Sequence, residues 1–329
     1  MLSLPKLLVE YLLSPSLCGG TPSPQPSSVT PPQTPYSPPV VTQYQTTPSV
    51  SPGPLEITFL AGPSTPGPPP TLELQAARRA LKNLKSLLGP SALKSLVSDQ
   101  ITAGTAAWQS ILAAAAHVDD PTSSDPGTRM LAEVHLTAVP SDSCTNTTTT
   151  DPDPKQVLTA AGFAGWFAAS AFTHPEKLWD GHPEHYFIAI SKNEKDGNLA
   201  AELVEPWGPI LTHSLVPSLA PVTGRPGGGV KKPWMKARAE FPIQTVGEET
   251  LMDGSGAVVG DIHYSFRDLP ASGDESGGTC GIEIILNMWM PSGTPEEVKE
   301  GISQHLAVEY YSWVGWAYED IKSGAYIPA

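Results

Sequence analysis

His174, His182 and His185, three of the chain's eight histidines, fall in one stretch, "THPEKLWDGHPEHYFIAI" at 173–190, which writes His-Pro-Glu twice. Side chains of these types ligate metals, exchange protons with a substrate, or simply start helices and line corners. As a metal set, His182 and His185 with Glu184 or His174 lack the helical His-Glu-x-x-His spacing and an obvious third ligand. As structure, each proline comes early with a carboxylate after it, as in helix first turns. Each proline also pushes the histidine before it out of the helical region. The stretch therefore reads as two corners that carry an apolar helix into a strand, and neither a metal nor a cofactor is expected.

Other polar residues are placed by periodicity. On "DIHYSF", Ile262, Tyr264 and Phe266 share one side and Asp261, His263 and Ser265 the other; on "EIILNMWM", Glu283, Ile285, Asn287 and Trp289 oppose a wholly apolar side. The apolar side belongs to the core. Around a cavity, the mixed side of one strand and the aromatic side of the other meet ligand instead. His305 and Glu309, four apart on a C-terminal helix, make an ordinary surface pair or, at a cavity edge, a general acid/base with its carboxylate. His263, His305 and Glu309 are thus the catalytic candidates. Eight tryptophans against seven phenylalanines point to large, partly polar side chains around a core or an apolar cavity. Trp207, His213, Tyr264, Glu283, Trp289 and Trp313 are the candidate ligand contacts.

Two glycine-rich stretches imitate nucleotide loops. In "TGRPGGGVKK" Val230 displaces Lys231 from the phosphate-loop spacing and no Ser or Thr follows. "GSGAVVGD" at 254–261 is followed by a strand where a dinucleotide fingerprint needs a helix start. Both read as hairpin loops. No Gly-x-Ser-x-Gly elbow is present.

Composition narrows the rest. A formal net charge of -14 argues against nucleic acid, whose phosphates demand clustered Lys and Arg. The one basic cluster, Arg78, Arg79, Lys82 and Lys85, is spaced like a solvated helix face that an anionic membrane surface can also meet. The sequence has no run of eighteen apolar residues, so no transmembrane helix is expected. Cys18, Cys144 and Cys280 are too far apart in sequence for a disulfide framework, so a cytoplasmic protein is expected. Secretion is the alternative, since residues 1–20 outline a signal peptide interrupted by Pro5 and Glu10. The sequon at Asn146 is used only in that case.

Eighteen of 37 prolines precede residue 71 and no charged side chain lies between Leu12 and Leu55. Residues 1–70 are therefore expected to form a disordered arm with polyproline character, beyond a short apolar helix at 3–13. Its segment 22–54 offers a docking site for a partner of SH3 or WW type. One domain fills 71–329, helical over 71–120. Leu74, Ala77, Leu81, Leu84 and Leu88 recur at helical spacing until Gly89-Pro90 stops them. A strand at "MLAEVHLTAV" and an apolar helix at 155–172 follow. From His185 onward, strands punctuated by Gly, Pro, Asn and Asp suit an antiparallel meander. Thr294 as N-cap, Pro295 at the first helical position, and Lys322 with Gly324 at the end bound a long final helix. Its stripe is Ile302, Leu306, Tyr310, Trp313, Ala317 and Ile321.

This order, strands ending in "GTCGIEIILNMWMP" and feeding a long amphipathic C-terminal helix, resembles the helix-grip fold of START, Bet v 1 and polyketide-cyclase-like proteins over residues 128–324. The resemblance implies an α+β fold with a curved antiparallel sheet gripping the final helix around an apolar cavity. It also implies a hydrophobic guest such as a lipid, sterol or polyketide. Three functions follow: binding of that guest; a cofactor-independent cyclase, isomerase or dehydratase using the histidines; or an interaction protein acting through its proline-rich arm.

Overall fold

Alternation and turn chemistry set up one eight-stranded antiparallel sheet, ordered β1-β2-β8-β7-β6-β5-β4-β3. The computed structural model describes residues 55–60, 72–119, 127, 129–140, 158–170, 173–192, 199–217, 232, 235, 238–270 and 279–327, all within the unit Val41–Ala329. The strands are β1 (Leu55–Phe59), β2 (Met130–Pro140), β3 (Phe187–Lys192), β4 (Leu199–Trp207), β5 (Ile210–Pro217), β6 (Ile243–Leu251), β7 (Val258–Pro270) and β8 (Thr279–Met290). The described helices are α1 (Leu72–Leu88), α2 (Pro90–Leu96), α3 (Ser98–Ala115), α4 (Ala160–Ser170), α5 (Pro175–Gly181) and α6 (Glu296–Ser323). Strands β3 to β8 form the expected meander, and β2 pairs along β8 from Met130↔Met290 to Ala138↔Ile282.

The sheet is bent by what it holds. Helix α6 touches both β2 and β4, which stand five strand spacings apart in the sheet. The curved sheet thus holds the 28-residue helix from both of its sides. Every member of the predicted stripe, from Ile302 to Ile321, is buried against them. Helices α4 and α5 also pack on α6, and Val298, Val314 and Tyr318 are buried too, Val298 beside Gly208 of the β4–β5 turn. An α+β fold with a curved antiparallel sheet around a C-terminal helix is thus the observed architecture.

Four expectations need correction. Strand β1 lies inside the stretch assigned to the proline-rich arm: "LEITF" pairs with β2 from Leu55↔Pro140 to Phe59↔Leu136, and Leu55 is buried. Helix α6 is capped at Pro295 without a side-chain bond, because Thr294 Oγ1 turns back to donate to Pro291 O at 2.7 Å. The basic cluster is not simply a solvated face: Arg78 Nε donates to Glu184 Oε1 at 2.9 Å, and Lys85 is 4 % exposed. Cys280 is disulfide-bonded, to a partner outside the described residues. The 254–261 stretch is the expected hairpin, with Gly254 at φ 84° and Gly256 at φ 67° between β6 and β7. Residues 3–13, segment 22–54, the Asn146 sequon and nearly all of the 223–232 loop lie outside the described residues.

The N-terminal half of α6 is seated by glycine. A Cβ on Gly301 runs into the backbone of Gly208 in the β4–β5 turn, and a Cβ on Gly208, at φ +59°, runs into Glu297 O. Replacing Gly301 with Val should therefore lower the unfolding free energy by at least ~2 kcal/mol in urea titration, while Glu300→Ala on the exposed side leaves it nearly unchanged. Equal effects of the two changes would mean that α6 does not cross the turn here.

Candidate functional site

Between α6 and the inner face of the sheet lies a cavity of about 60 Å³. At about 10–15 Å³ per water centre, that is room for a handful of waters or one compact molecule. Phe167 of α4, Leu178 of α5, Ile188 of β3, Ile262 and Tyr264 of β7, and Leu306 and Trp313 of α6 give it mostly apolar walls. Into these walls are set His185, Glu205, Glu249 and Glu309. Ionisable groups at a cavity wall need partners, since an isolated buried charge is costly.

The partners come from three parts of the chain. His305 and Glu309 stand one turn apart on α6, so both face the same way. Glu205 projects inward from β4 on the same side as Leu203 and Trp207. His185 ends the corner that joins α5 to β3. Its Nε2 lies 2.8 Å from Glu309 Oε1, 3.2 Å from Glu205 Oε2 and 3.0 Å from His305 Nε2. His305 Nε2 is 3.5 Å from Glu205 Oε2. All four residues are buried.

Tautomers follow from the outer contacts. His185 Nδ1 is 2.7 Å from Leu178 O; a carbonyl only accepts, so Nδ1 carries a proton and Nε2 faces the cluster. For His182 the logic reverses. The Glu184 N–H donates to its Nδ1 at 3.0 Å, which leaves the ring proton on Nε2, and the ring stacks on His305 with centroids 3.8 Å apart. Trp207 Nε1 donates to Glu205 Oε1 at 3.0 Å and fixes that carboxylate from behind.

Electrostatics sort the group further. Burial opposes charge on His185, but Glu309 and Glu205 outweigh it and hold its pKa at about 9. Burial, reinforced by His305 and His185, pushes His182 well below the usual imidazole value, so it is neutral. Glu205 is lowered despite burial because His305 and His185 face it. Glu249 goes the other way: burial and then Glu205 raise it well above an ordinary carboxyl, and Ser214 Oγ donates to it.

Of the residues singled out in the sequence, His305, Glu309, Tyr264 and Trp313 are at this site, and Trp207 supports it through Glu205. The structure separates the rest from it. His263, Glu283 and Trp289 point to the opposite face of the sheet: His263 Nε2 is 3.0 Å from Gln244 Oε1, and Glu283 pairs with Arg267 and His135. His213 also points away, 2.7 Å from Glu202 Oε1. The apolar side of β8 indeed faces inward, and the mixed side meets other residues rather than the cavity, because alternating side chains cannot serve both faces. Glu205 and Glu249 are not singled out by the sequence reading, and His182 and His185 are weighed there as metal ligands and set aside. For Glu205 and Glu249 the available signal was a lone carboxylate in phase with inward apolar residues. The corner reading of 173–190 holds as well, with Pro175 at the first turn of α5 and His182 extended at φ −130°.

No protein-family model matches the chain, and no curated protein does. Among solved structures the chain is similar to the crystal structure of Ara h 8.0201, a Bet v 1 family allergen. The two are 10% identical, the match covers 58% of this chain and 99% of that one, and the TM-score is 0.31. The fold assignment rests on the sheet order and on the helix that the sheet encloses. Among the described residues no helix is long and apolar enough to cross a membrane.

The corner bearing His182 and His185 is buttressed by Lys85 of α1, whose Nζ donates to Trp179 O and, at 3.0 Å, to His182 O. Burial lowers its pKa from 10.5 to about 7, with Asp180 opposing and Lys82 assisting. The folded state then binds fewer protons than the unfolded chain between these values, so this residue's contribution is fullest above pH 10.5 and is lost as pH falls toward about 7. Comparing urea unfolding of wild type and Lys85→Met across that range, the stability difference should drift in this direction by on the order of 1 kcal/mol per pH unit. A flat difference would place the ammonium in water.

Proposed function

We propose that the chain binds a compact, largely apolar molecule carrying one polar group in the cavity beneath α6. The observation that supports this is a mostly apolar cavity with a buried His–Glu group in its wall, the usual arrangement of a small-molecule site. Size restricts the guest: a space of about 60 Å³ suits a short aliphatic or small aromatic compound, and a sterol or long lipid requires the walls to move. Trp313 lines the cavity with its ring, while its Nε1 sits against Gly181 of the α5–β3 corner.

A second reading, an acid–base enzyme of the same fold, draws on Glu309 and His305, which meet His185 at the cavity wall. His263 takes no part in it, being on the other face of the sheet. The disulfide at Cys280 supports an oxidising compartment, and so the secreted alternative over the cytoplasm.

Intrinsic tryptophan fluorescence should respond to some member of a panel of short aliphatic alcohols, aldehydes and acids and small phenols. Ala201→Leu, which places bulk in the cavity, should abolish the response while the melting temperature stays within a few degrees. Silence of the wild-type protein across the panel sinks the binding proposal. Mass-spectrometric detection of a converted guest, lost in Glu309→Gln with binding retained, would favour the enzyme.

A further inference from the structure

We infer that His185, Glu205, His305 and Glu309 form a binding site for one divalent transition-metal ion of the zinc, manganese or iron(II) type. This goes beyond the guest-binding proposal and stands or falls without it.

The first argument is convergence. The four side chains come from the α5–β3 corner, from β4 and from two successive turns of α6, and their donor atoms all lie within 4.8 Å of one another. Two nitrogens and two oxygens bound to zinc at about 2.0–2.2 Å in a tetrahedron stand ~3.3 Å apart. The measured separations are 2.8, 3.0, 3.2 and 3.5 Å. An ion at their centre therefore matches these four separations to within a few tenths of an ångström and requires Glu309, whose distances to the other two donors are within 4.8 Å, to close toward them.

The second argument is chemical type. With Nδ1 donating to Leu178 O, His185 directs Nε2 at the other three donors. A ligating histidine with its outer N–H on a carbonyl, and a ligating carboxylate steadied by an indole N–H, is how metal sites orient their ligands. Here Leu178 O and Trp207 Nε1 fill those places. His305 Nδ1 has no such partner among the described residues, so the stacked His182 ring is what orients His305. His182 itself is outside the ligand set, because its Nδ1 accepts from Glu184 N–H and its Nε2 keeps the proton.

The third argument is charge. Two carboxylates with two neutral imidazoles carry a formal charge of two negative, which one divalent ion cancels among buried side chains. Mixed nitrogen and oxygen donors select zinc, manganese or iron(II) over magnesium and calcium, which prefer oxygen throughout. Three of the four ligands line the cavity, so the ion faces it. A proton on His185 is the competing occupant, and the experiment separates the two.

The full chain is stripped with a chelator and titrated with Zn²⁺ alone by calorimetry, with Co²⁺ absorption as a second readout. Wild type should bind one equivalent. His305→Ala and Glu205→Gln should each weaken binding by roughly 100-fold or more, whereas His263→Ala and His174→Ala leave it unchanged. X-ray absorption at the zinc edge should report two imidazole nitrogens and two carboxylate oxygens at about 2.0–2.2 Å. Three results overturn the assignment: no stoichiometric uptake by wild type, equal uptake by the His305 and Glu205 variants, or a shell containing sulfur or no imidazole. Should those variants not fold, the wild-type titration and its absorption spectrum still decide. Fluorescence of the stripped protein tests the guest separately.

Discussion

Glu205 on the sheet and Glu309 on the helix that crosses it face one another across His185 and His305, and the cost of keeping two carboxylates out of water constrains everything around them. A buried carboxylate without a partner is expensive by several kcal/mol. Helix α6 therefore cannot slide or rotate on the sheet without breaking the group, since Glu309 must meet His185 while Ile302, Leu306 and Tyr310 stay in the core. The apolar stripe sets which side of the helix is inside. The polar group sets its position along and around its own axis.

The rest of the framework holds that position. Gly208 and Gly301 let the β4–β5 turn and α6 approach at backbone distance, where a side chain on either would push the helix off β4. Trp207, from the same strand end, reaches Glu205 with its N–H and meets Trp108 of α3 edge-on at 5.3 Å. Trp108 in turn donates to Thr212 of β5 at 2.9 Å. On the other side, α1 grips the 179–185 corner through Lys85 and Arg78. The N-terminal helices thus support the site without contributing a side chain to it.

Much of this was legible in sequence because it is periodic. The stripe of α6 runs long enough for its period to be unmistakable, and β2 to β8 announce themselves by alternation and punctuation. What alternation could not give was polarity. Asp261, His263 and Ser265 are as buried as Ile262, Tyr264 and Phe266, because a segment carrying Arg238 covers the outer face and its guanidinium donates to Asn287 Oδ1 at 2.8 Å. With both faces of β7 buried, residue type ceases to indicate side, and His263 and Trp289 were placed toward the ligand for that reason. Strand β1 was hidden differently. "LEITF" does alternate apolar and polar residues, but five residues flanked by proline-rich sequence are a short signal, and pairing with β2 is what stabilises them.

The doubled His-Pro-Glu shows how one local pattern yields two outcomes through tertiary context. In both copies proline shapes a corner. At the first, the side chains of His174 and Glu176 are exposed and pair with each other at 2.9 Å. At the second, Lys85 draws the chain inward, and burial forces each imidazole to settle its protons by its nearest backbone group. A carbonyl beside Nδ1 turns His185 toward the carboxylates, while an amide beside Nδ1 makes His182 a neutral stacking partner. Corner and site are therefore the same object. The backbone groups that finish the turn are those that decide which histidine presents its Nε2 to Glu205 and Glu309.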